Sequence, residues 1–595
     1  MRKHTHIGIK SFSALLASAV LLGFTFRQPV QSEGEPLFIT GLTPYKAGVI
    51  TSQKGTKQLV LYSSDWKESL QKWDLDAVPS GVTVAGDKIY ATVTGDKNGV
   101  YVLSATGDSK EYIPTGSGAC FPLADEKTNK LYVCNQFSTT VSEIDLGSNK
   151  VMREVKVLRE PKSSILDPNG KYLFVTNYLP QQRADIDTVA ACVSVIDLNS
   201  FHKVRDIQLA NGSNALRGMT LSPDSRYLLI THNLGRFQVP TSQLQQGWMN
   251  TSAISIVNLE SLRFEGAVLL DEPERGAAGI WDVKCADNKI VISHSGTHDI
   301  SVIDYPGFIQ KFNAYPQKDA LTYDLRFLYG LRDRIALAGN GPRSLILRDG
   351  KAIVPTYFSD TLNIVDLNTH QIDAVPLVQN RVESRIQRGE KYFNDAEHCF
   401  QNWQSCNGCH PGDARTDGMN WDLMNDGIGN PKNCKSLLFS HVTPPNMISG
   451  IRASANVAVR AGYKLIQFTD LPEDFADCVD EYLMDLKPVP SPYLVNGELS
   501  EKAQRGRKVY EKLKCDECHS GPYYTDMKMH RIGEDVEFEN GWDTPTLREV
   551  WRTAPYLFDG RAATMKDVFT VHKHGIDKKV SDKEIDELVE YVNSL

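Results

Sequence analysis

A two-strand phrase recurs from about Tyr45 to Val378 and leaves that part of the chain few architectures. In its first half a polar turn runs into an apolar strand. Examples are Ala85-Gly-Asp-Lys-Ile-Tyr-Ala-Thr-Val93, Lys130-Leu-Tyr-Val-Cys-Asn135, Asp167-Pro-Asn-Gly-Lys-Tyr-Leu-Phe-Val-Thr-Asn177, Ser222-Pro-Asp-Ser-Arg-Tyr-Leu-Leu-Ile-Thr-His232 and Asp287-Asn-Lys-Ile-Val-Ile-Ser-His294. Its second half is a strand closing on an acid or amide: Val141-Ser-Glu-Ile-Asp-Leu146, Val193-Ser-Val-Ile-Asp-Leu198, Ile254-Ser-Ile-Val-Asn-Leu259, Ile300-Ser-Val-Ile-Asp304 and Leu362-Asn-Ile-Val-Asp-Leu367. Gly, Asn, Asp and Pro break the runs where a turn is required. The phrase returns about every 40–60 residues. A lone small sheet cannot bury its own faces, so such units must stack on one another, and radial stacking gives an all-β propeller.

Phe174-Val-Thr-Asn177 and Tyr132-Val-Cys-Asn135 make these units resemble the YVTN-type β-propeller repeat. Six units are clear. A weaker one, Lys57-Gln-Leu-Val-Leu-Tyr62 with Leu70-Gln-Lys-Trp-Asp-Leu75, brings the expected number of blades to seven over residues 45–378. Insertions near residues 179–190, 233–252 and 308–340 stretch three units. Such insertions map to loops on a propeller face, where partners dock. His202, His232, His294, His298 and His370 are scattered. Ser293-His-Ser-Gly-Thr-His298 reads as a structural turn, because no cysteine or acidic cluster of ligand spacing accompanies it in sequence.

At 595 residues the chain is too long for one core. Lys and Arg number 65 against 73 Asp and Glu, for a net charge of −8 with no basic block, which argues against nucleic acid as a partner. Arg2, Lys3 and Lys10 precede an uncharged apolar run from Ser13 to Phe26, and a polar stretch ends near Ser32. This is the layout of a secretory signal peptide over residues 1–32, so a periplasmic or otherwise exported protein is expected, without a membrane span. Eleven cysteines are too few for a disulfide scaffold of this length. Cys134 and Cys192 fit buried positions in strands, and Cys399 is a candidate to pair with Cys434.

After Val378 helical periodicity replaces the strand pattern, and few core contacts are expected to cross the seam at 378–387. Two Cys-x-x-Cys-His motifs follow: Cys406-Asn-Gly-Cys409-His410 and Cys515-Asp-Glu-Cys518-His519. In this spacing two thiols add to the vinyl groups of a haem and the adjacent histidine reaches its iron. A zinc ribbon would hold its two knuckles much closer together in sequence. Two covalently bound haem c groups are therefore expected, with Cys406, Cys409, Cys515 and Cys518 as attachment points and His410 and His519 as proximal ligands.

The region repeats itself. Arg388-Gly-Glu-Lys-Tyr-Phe393 and Arg505-Gly-Arg-Lys-Val-Tyr510 precede the motifs. Thr416-Asp417 and Thr525-Asp526 follow them, then Thr443-Pro444 and Thr544-Pro545. Each half closes on an acidic amphipathic helix, at residues 472–486 and 581–595, and Lys487-Pro-Val-Pro-Ser-Pro492 is a stiff joint between the halves. The expected organisation is a first cytochrome c module at 380–488 and a second at 489–595, both mainly α-helical. Cys518-His-Ser-Gly-Pro-Tyr-Tyr-Thr-Asp526, Asp543-Thr-Pro-Thr-Leu-Arg548 and Thr553-Ala-Pro-Tyr-Leu-Phe-Asp-Gly-Arg-Ala-Ala-Thr564 make residues 385–595 resemble the di-haem cytochrome c peroxidase/MauG family.

That resemblance implies a distal ligand to the second haem some way after Phe558, where this chain offers His572, with His574 as runner-up. The first module lacks the family's tryptophan before an Asp-Gly-Arg, and no His or Met stands at the place matching His572. Its iron is either open or capped by His441, Met424 or Met447. No catalytic residue can be named. Two functions remain. One is a peroxidase-like oxidoreductase that takes a small oxidant such as hydrogen peroxide, with the propeller holding an electron donor or substrate protein. The other is an electron-transfer cytochrome with the propeller as its docking platform.

Overall fold

The computed structural model describes residues 24–26, 34–238, 249–423, 431–532 and 539–595. Seven antiparallel sheets form a seven-bladed β-propeller. In each blade four consecutive strands run from the axis outward. The inner strands begin at Ile39, Val78, Ala119, Pro161, Met219, Ile280 and Ile346 and neighbour one another around the ring. The recurring phrase corresponds to the second and third strands, for example Tyr172–Asn177 paired with Cys192–Asp197 in blade 4. Those strands are almost wholly buried on both faces, which explains their continuous apolar runs.

The weak unit belongs to blade 1, but it supplies the third and outer strands, Gln58–Tyr62 and Ser69–Asp74. The second strand is Gly48–Gln53, upstream of the phrase as read. Propeller strands also begin earlier than Tyr45, at Ile39. The ring closes by side-chain packing. Leu37, Ile39, Val60 and Tyr62 of blade 1 bury against Ile353, Leu362, Val375 and Leu377 of blade 7. Asp360, fully buried, accepts hydrogen bonds from the amides of Leu37 (3.0 Å) and Phe38 (3.2 Å) and from Arg381 Nε (2.7 Å). Phe24–Phe26 adds a short parallel strand to the outer edge of blade 7. Most of the stretch read as a signal peptide, 1–23 and 27–33, lies outside the described residues.

Helix α1 (Tyr305–Ala314) lies in the third insertion and turns back onto the blades through Phe308 and Phe312. Among the described residues, the other α-helices of six residues or more belong to the C-terminal part: α2 (Arg385–Asn394), α3 (Ala455–Ile466), α4 (Glu473–Asp485), α5 (Glu501–Lys512), α6 (Met565–Thr570) and α7 (Asp582–Asn593). Among the described residues no helix is long and apolar enough to cross a membrane. Helix α2 packs on α4, and α5 packs on α7 in the same way. The Arg-Gly-x-Lys phrase has its reason here. A Cβ on Gly389 would lie 1.9 Å from Cys478 O, and one on Gly506 would lie 1.9 Å from Glu587 O. Only glycine lets these backbones approach so closely.

The two helical repeats exchange hydrogen bonds reciprocally. Asn433 N–H donates to Phe558 O (2.7 Å) and Asp543 N–H to Ile448 O (2.9 Å). The same chain interval separates Asn433 from Asp543 and Ile448 from Phe558, so the repeats face each other about an approximate two-fold axis. One sequence correspondence changes. Thr416 Oγ1 donates to Cys434 O and Thr525 Oγ1 to Thr544 O, both at 2.6 Å, so Cys434 is the counterpart of Thr544. The bridges Asn446–Arg452 and Tyr556–Ala562 place Thr443-Pro444 opposite Thr553-Ala554.

The seam is not sparse. The C-terminal part sits on the propeller face formed by second-to-third-strand hairpins and by connections between blades. Backbone hydrogen bonds cross it at Ala184–Gly560 (2.9 Å), Gly276–Gln401 (2.8 Å) and Ala396–Gly296 (2.9 Å). Arg552 reaches Glu160 with Nε (2.9 Å) and Nη2 (3.3 Å), and Glu549 accepts both from Arg552 (3.5 Å) and from Arg415 (2.8 Å). The four side chains of this Glu160–Arg552–Glu549–Arg415 chain are at most 4% exposed. Burial pushes the Glu160 carboxyl up, but Arg552 and Arg159 outweigh it and hold the group below the ordinary carboxylate range. The insertions near 179–190 and 233–252 thus touch the chain's own C-terminal half.

Candidate functional site

Each Cys-x-x-Cys-His motif forms a short 3-10 turn, Cys406–Gly408 and Cys515–Glu517, that brings its two thiols and its histidine together. His410 Nδ1 lies 3.0 Å from Arg415 O and His519 Nδ1 lies 3.1 Å from Tyr524 O. Donation from Nδ1–H to a carbonyl fixes the tautomer and leaves Nε2 with a free lone pair, the arrangement of a metal-ligating histidine. Burial lowers the pKa of both rings and so favours the neutral ligand form. The hydroxyl of Tyr510, the aromatic end of the second Arg-Gly-x-Lys phrase, donates to His519 O.

The surroundings of the motifs differ. Cys515 packs into the core of the second repeat beside Val509, Leu588 and Tyr591. Cys406 packs into that of the first, where Gln467 Nε2 reaches its sulfur at 3.3 Å. Cys409 instead faces the propeller. Asn250 Nδ2 lies 3.0 Å from its Sγ, and Val189, Met249 and Phe237 of the propeller join Met419 and Trp421 around it. Asn250 and Met249 belong to the second insertion, whose length marked it as a contact loop but whose residues carry no motif. Asp417, buried beside this cluster, accepts from Trp421 Nε1 (2.9 Å), and burial pushes its pKa up to about 7.

Among the described residues it is the ring of His574, not of His572, that meets His519. Their centroids are 6.3 Å apart. With a haem attached at Cys515 and Cys518, His519 and His574 would be the residues to hold its iron. Burial, with His519 nearby, holds His574 at a pKa of about 4, hence neutral. Of the two histidines expected near this haem, the one whose ring lies beside His519 is the runner-up, His574.

Among the described residues no histidine of the first repeat makes the matching ring contact with His410. At the interval matching His574 stands Lys464, whose Nζ lies 3.8 Å from Asp470. His441 is committed elsewhere, with Nε2 2.9 Å from Asp480 and Nδ1 3.3 Å from Ser440 Oγ. Met447 is half-buried, and Met424 lies outside the described residues. The Cys399–Cys434 pairing does not form. Cys399 is packed with Trp403 and Leu234, and Cys434 sits 3.5 Å from His410 Nδ1. His232 and His294 are structural, each held to a serine on the adjacent strand, Ser255 (2.7 Å) and Ser301 (2.9 Å).

Fold and site together define a seven-bladed propeller closed on one face by a duplicated helical region that carries two Cys-x-x-Cys-His motifs. No family model matches the chain. The chain is similar to hydrazine synthase subunit gamma of Kuenenia stuttgartiensis, with 27% identity over 272 residues, 35% of this chain and 77% of that protein. Antigen Lp49 of Leptospira interrogans is 25% identical over 34% of this chain and 51% of its own length. Hydrazine synthase subunit beta of Kuenenia stuttgartiensis is 23% identical over 38% of this chain and 58% of its own length. The chain thus spans between half and three-fifths of these last two relatives. A solved hydrazine synthase chain from the same organism shares the fold, with a TM-score of 0.51 and 16% identity over 56% of this chain and 97% of that one.

Proposed function

We propose that this chain is an exported di-haem c-type cytochrome acting as a peroxidase-like oxidoreductase. Cys406, Cys409, Cys515 and Cys518 attach the two haems, and His410 and His519 bind their irons. The observation that carries the reading is the inequality of the two sites. His574 stands opposite His519 at a ring spacing of 6.3 Å, whereas the matching interval in the first repeat offers only Lys464. When bound, the first haem supplies a coordination position for a small oxidant and the second holds a further electron equivalent. The protein's part is to close the second site with His574 and to wall the first with Met419, Trp421 and the propeller's Met249. Likeness to two proteins named as hydrazine synthase subunits supports a redox role. The basic start and apolar run of residues 1–26 support export.

The test is spectroscopic and uses the holoprotein. Haem stain should survive denaturing electrophoresis at two haems per chain, and Cys406→Ala with Cys409→Ala should reduce the ratio to one. One haem should be low-spin. The other should be high-spin and should react with peroxide in the half-reduced protein. Two low-spin haems inert to peroxide in every oxidation state would replace the peroxidase reading with electron transfer alone.

A further inference from the structure

We propose that His298, Asp395 and Glu397 form a divalent-metal site of the zinc class that ties the propeller to the C-terminal half. It is separate from the Cys-x-x-Cys-His motifs. His298 lies in the hairpin after the second strand of blade 6, Lys289–His294. Asp395 is the C-cap of α2 and Glu397 follows it. The ligand atoms of the three side chains all lie within 4.8 Å of one another. In sequence the histidine and the acids are far apart, so only the fold makes the cluster.

The His298 side chain is 7% exposed, and its Nε2 has no hydrogen-bond partner. Asp395 Oδ1 is 3.3 Å from Nε2 but off a hydrogen-bonding angle. A buried unsatisfied ring nitrogen is costly unless something else occupies its lone pair. At the other nitrogen two groups compete: Ser295 O lies 3.0 Å from Nδ1, and Gly341 N–H points at the same atom as a donor from 3.1 Å. A metal at Nε2 selects the Ser295 contact at the expense of the Gly341 one, with Nδ1–H donating to the carbonyl as in metal-bound histidines. In that tautomer the Nε2 lone pair faces two carboxylates, an arrangement that a cation between them relieves. In the metal-free protein a proton on Nε2, facing Asp395 Oδ1 at 3.3 Å, takes that place. His398, the closest basic residue in sequence, makes edge contacts with Tyr392 and Phe475.

The ligands are also held in place. Glu397 N–H donates to Asp395 Oδ1 (2.8 Å), and Ala396 N–H, between the two acids, donates to Gly296 O of the propeller hairpin (2.9 Å). Glu397 is exposed, which gives an ion a route in from solvent. One imidazole nitrogen with two carboxylates suits zinc, with water completing the shell. Calcium and magnesium prefer oxygen alone. A metal that binds only when the two halves are docked stabilises the docked state by mass action.

Zinc chloride added to the chelator-treated, tag-free holoprotein is the probe. The wild type should take up one more zinc per chain than His298→Ala, and saturating zinc should raise its melting temperature but not that of the variant. Glu397→Gln, an exposed change, should keep the fold and weaken zinc binding at least tenfold. If His298→Ala does not fold, Glu397→Gln against the wild type decides. The proposal is overturned if the wild type takes up no more zinc than either variant, or if zinc shifts the melting of all forms equally.

Discussion

His572 and His574 differ by two residues but are placed differently by the end of α6. The helix closes at Thr570. His572 N–H then bonds to Asp567 O (3.1 Å), and His574 N–H turns back to Val568 O (3.1 Å). That last bond sets the His574 ring beside that of His519. His574→Gly should therefore convert the second haem from low-spin to high-spin and open it to cyanide, with the first haem's spectrum unchanged. His572→Gly should leave both spectra as they are. An unchanged low-spin signal in His574→Gly would return the ligand role to His572. Both histidines are plain in the sequence, but counting along the chain places His572 first because it takes no account of where a six-residue helix stops. The covalent anchors needed no such geometry, since their spacing is itself the chemistry. Asn250 beside Cys409 could not be read at all, because an asparagine in a loop acquires meaning only from what the fold sets against it.

At the level of elements the duplication rests on two glycines. Gly389→Ala or Gly506→Ala places a methyl group on a carbonyl oxygen 1.9 Å away, and the paired helices must separate. Each change should cost at least about 1–3 kcal/mol and should loosen the haem signal of its own repeat first. Equal loss in both repeats would show that the helix pairs do not act as local units. In the propeller, the second strands of blades 5 and 6, Tyr227–Gly235 and Lys289–His294, carry buried histidines. Burial holds His232 near a pKa of about 4, against an ordinary value of 6.5, and pushes His294 well below its ordinary value. A depressed histidine means that the unfolded chain binds the proton more tightly. The stability it represents is complete above pH 6.5 and is lost as pH falls toward 4, by about 3 kcal/mol for His232. Thermal midpoints measured across that window should fall steeply in the wild type and less steeply in His232→Gln with His294→Gln. The strand phrase was legible because both of its strands are buried on two faces. Blade 1 was misphased because its second strand, Gly48–Gln53, carries Thr, Ser and Gln among its buried positions.

On the scale of the whole molecule, a change from strand pattern to helix pattern suggests two bodies joined by a linker, and the fold does not follow it. Sequence periodicity reports which face of an element is buried but not which other element covers it, so the docked face of the propeller left no periodic trace. The Glu160–Arg552–Glu549–Arg415 chain is desolvated as a unit, and removing one charge leaves its neighbour buried without compensation. Glu160→Ala should therefore destabilise the full chain by about 3–5 kcal/mol. Simultaneous replacement of Glu160 and Arg552 by apolar residues should cost less than Glu160→Ala alone. The same seam bears on the haem sites unequally. Cys409 is walled by Met249, Val189 and Asn250 of the propeller, whereas Cys515 packs, among the described residues, into the core of its own repeat. A fragment spanning 380–595, matured in an oxidising compartment, should therefore keep the low-spin spectrum of the second haem. Its first haem should be solvent-exposed, shifted in potential and prone to loss of native ligation. If both haems in the fragment match those of the full chain, the propeller is a platform resting on a finished pair of sites. If only the second matches, the propeller is part of the first site's wall.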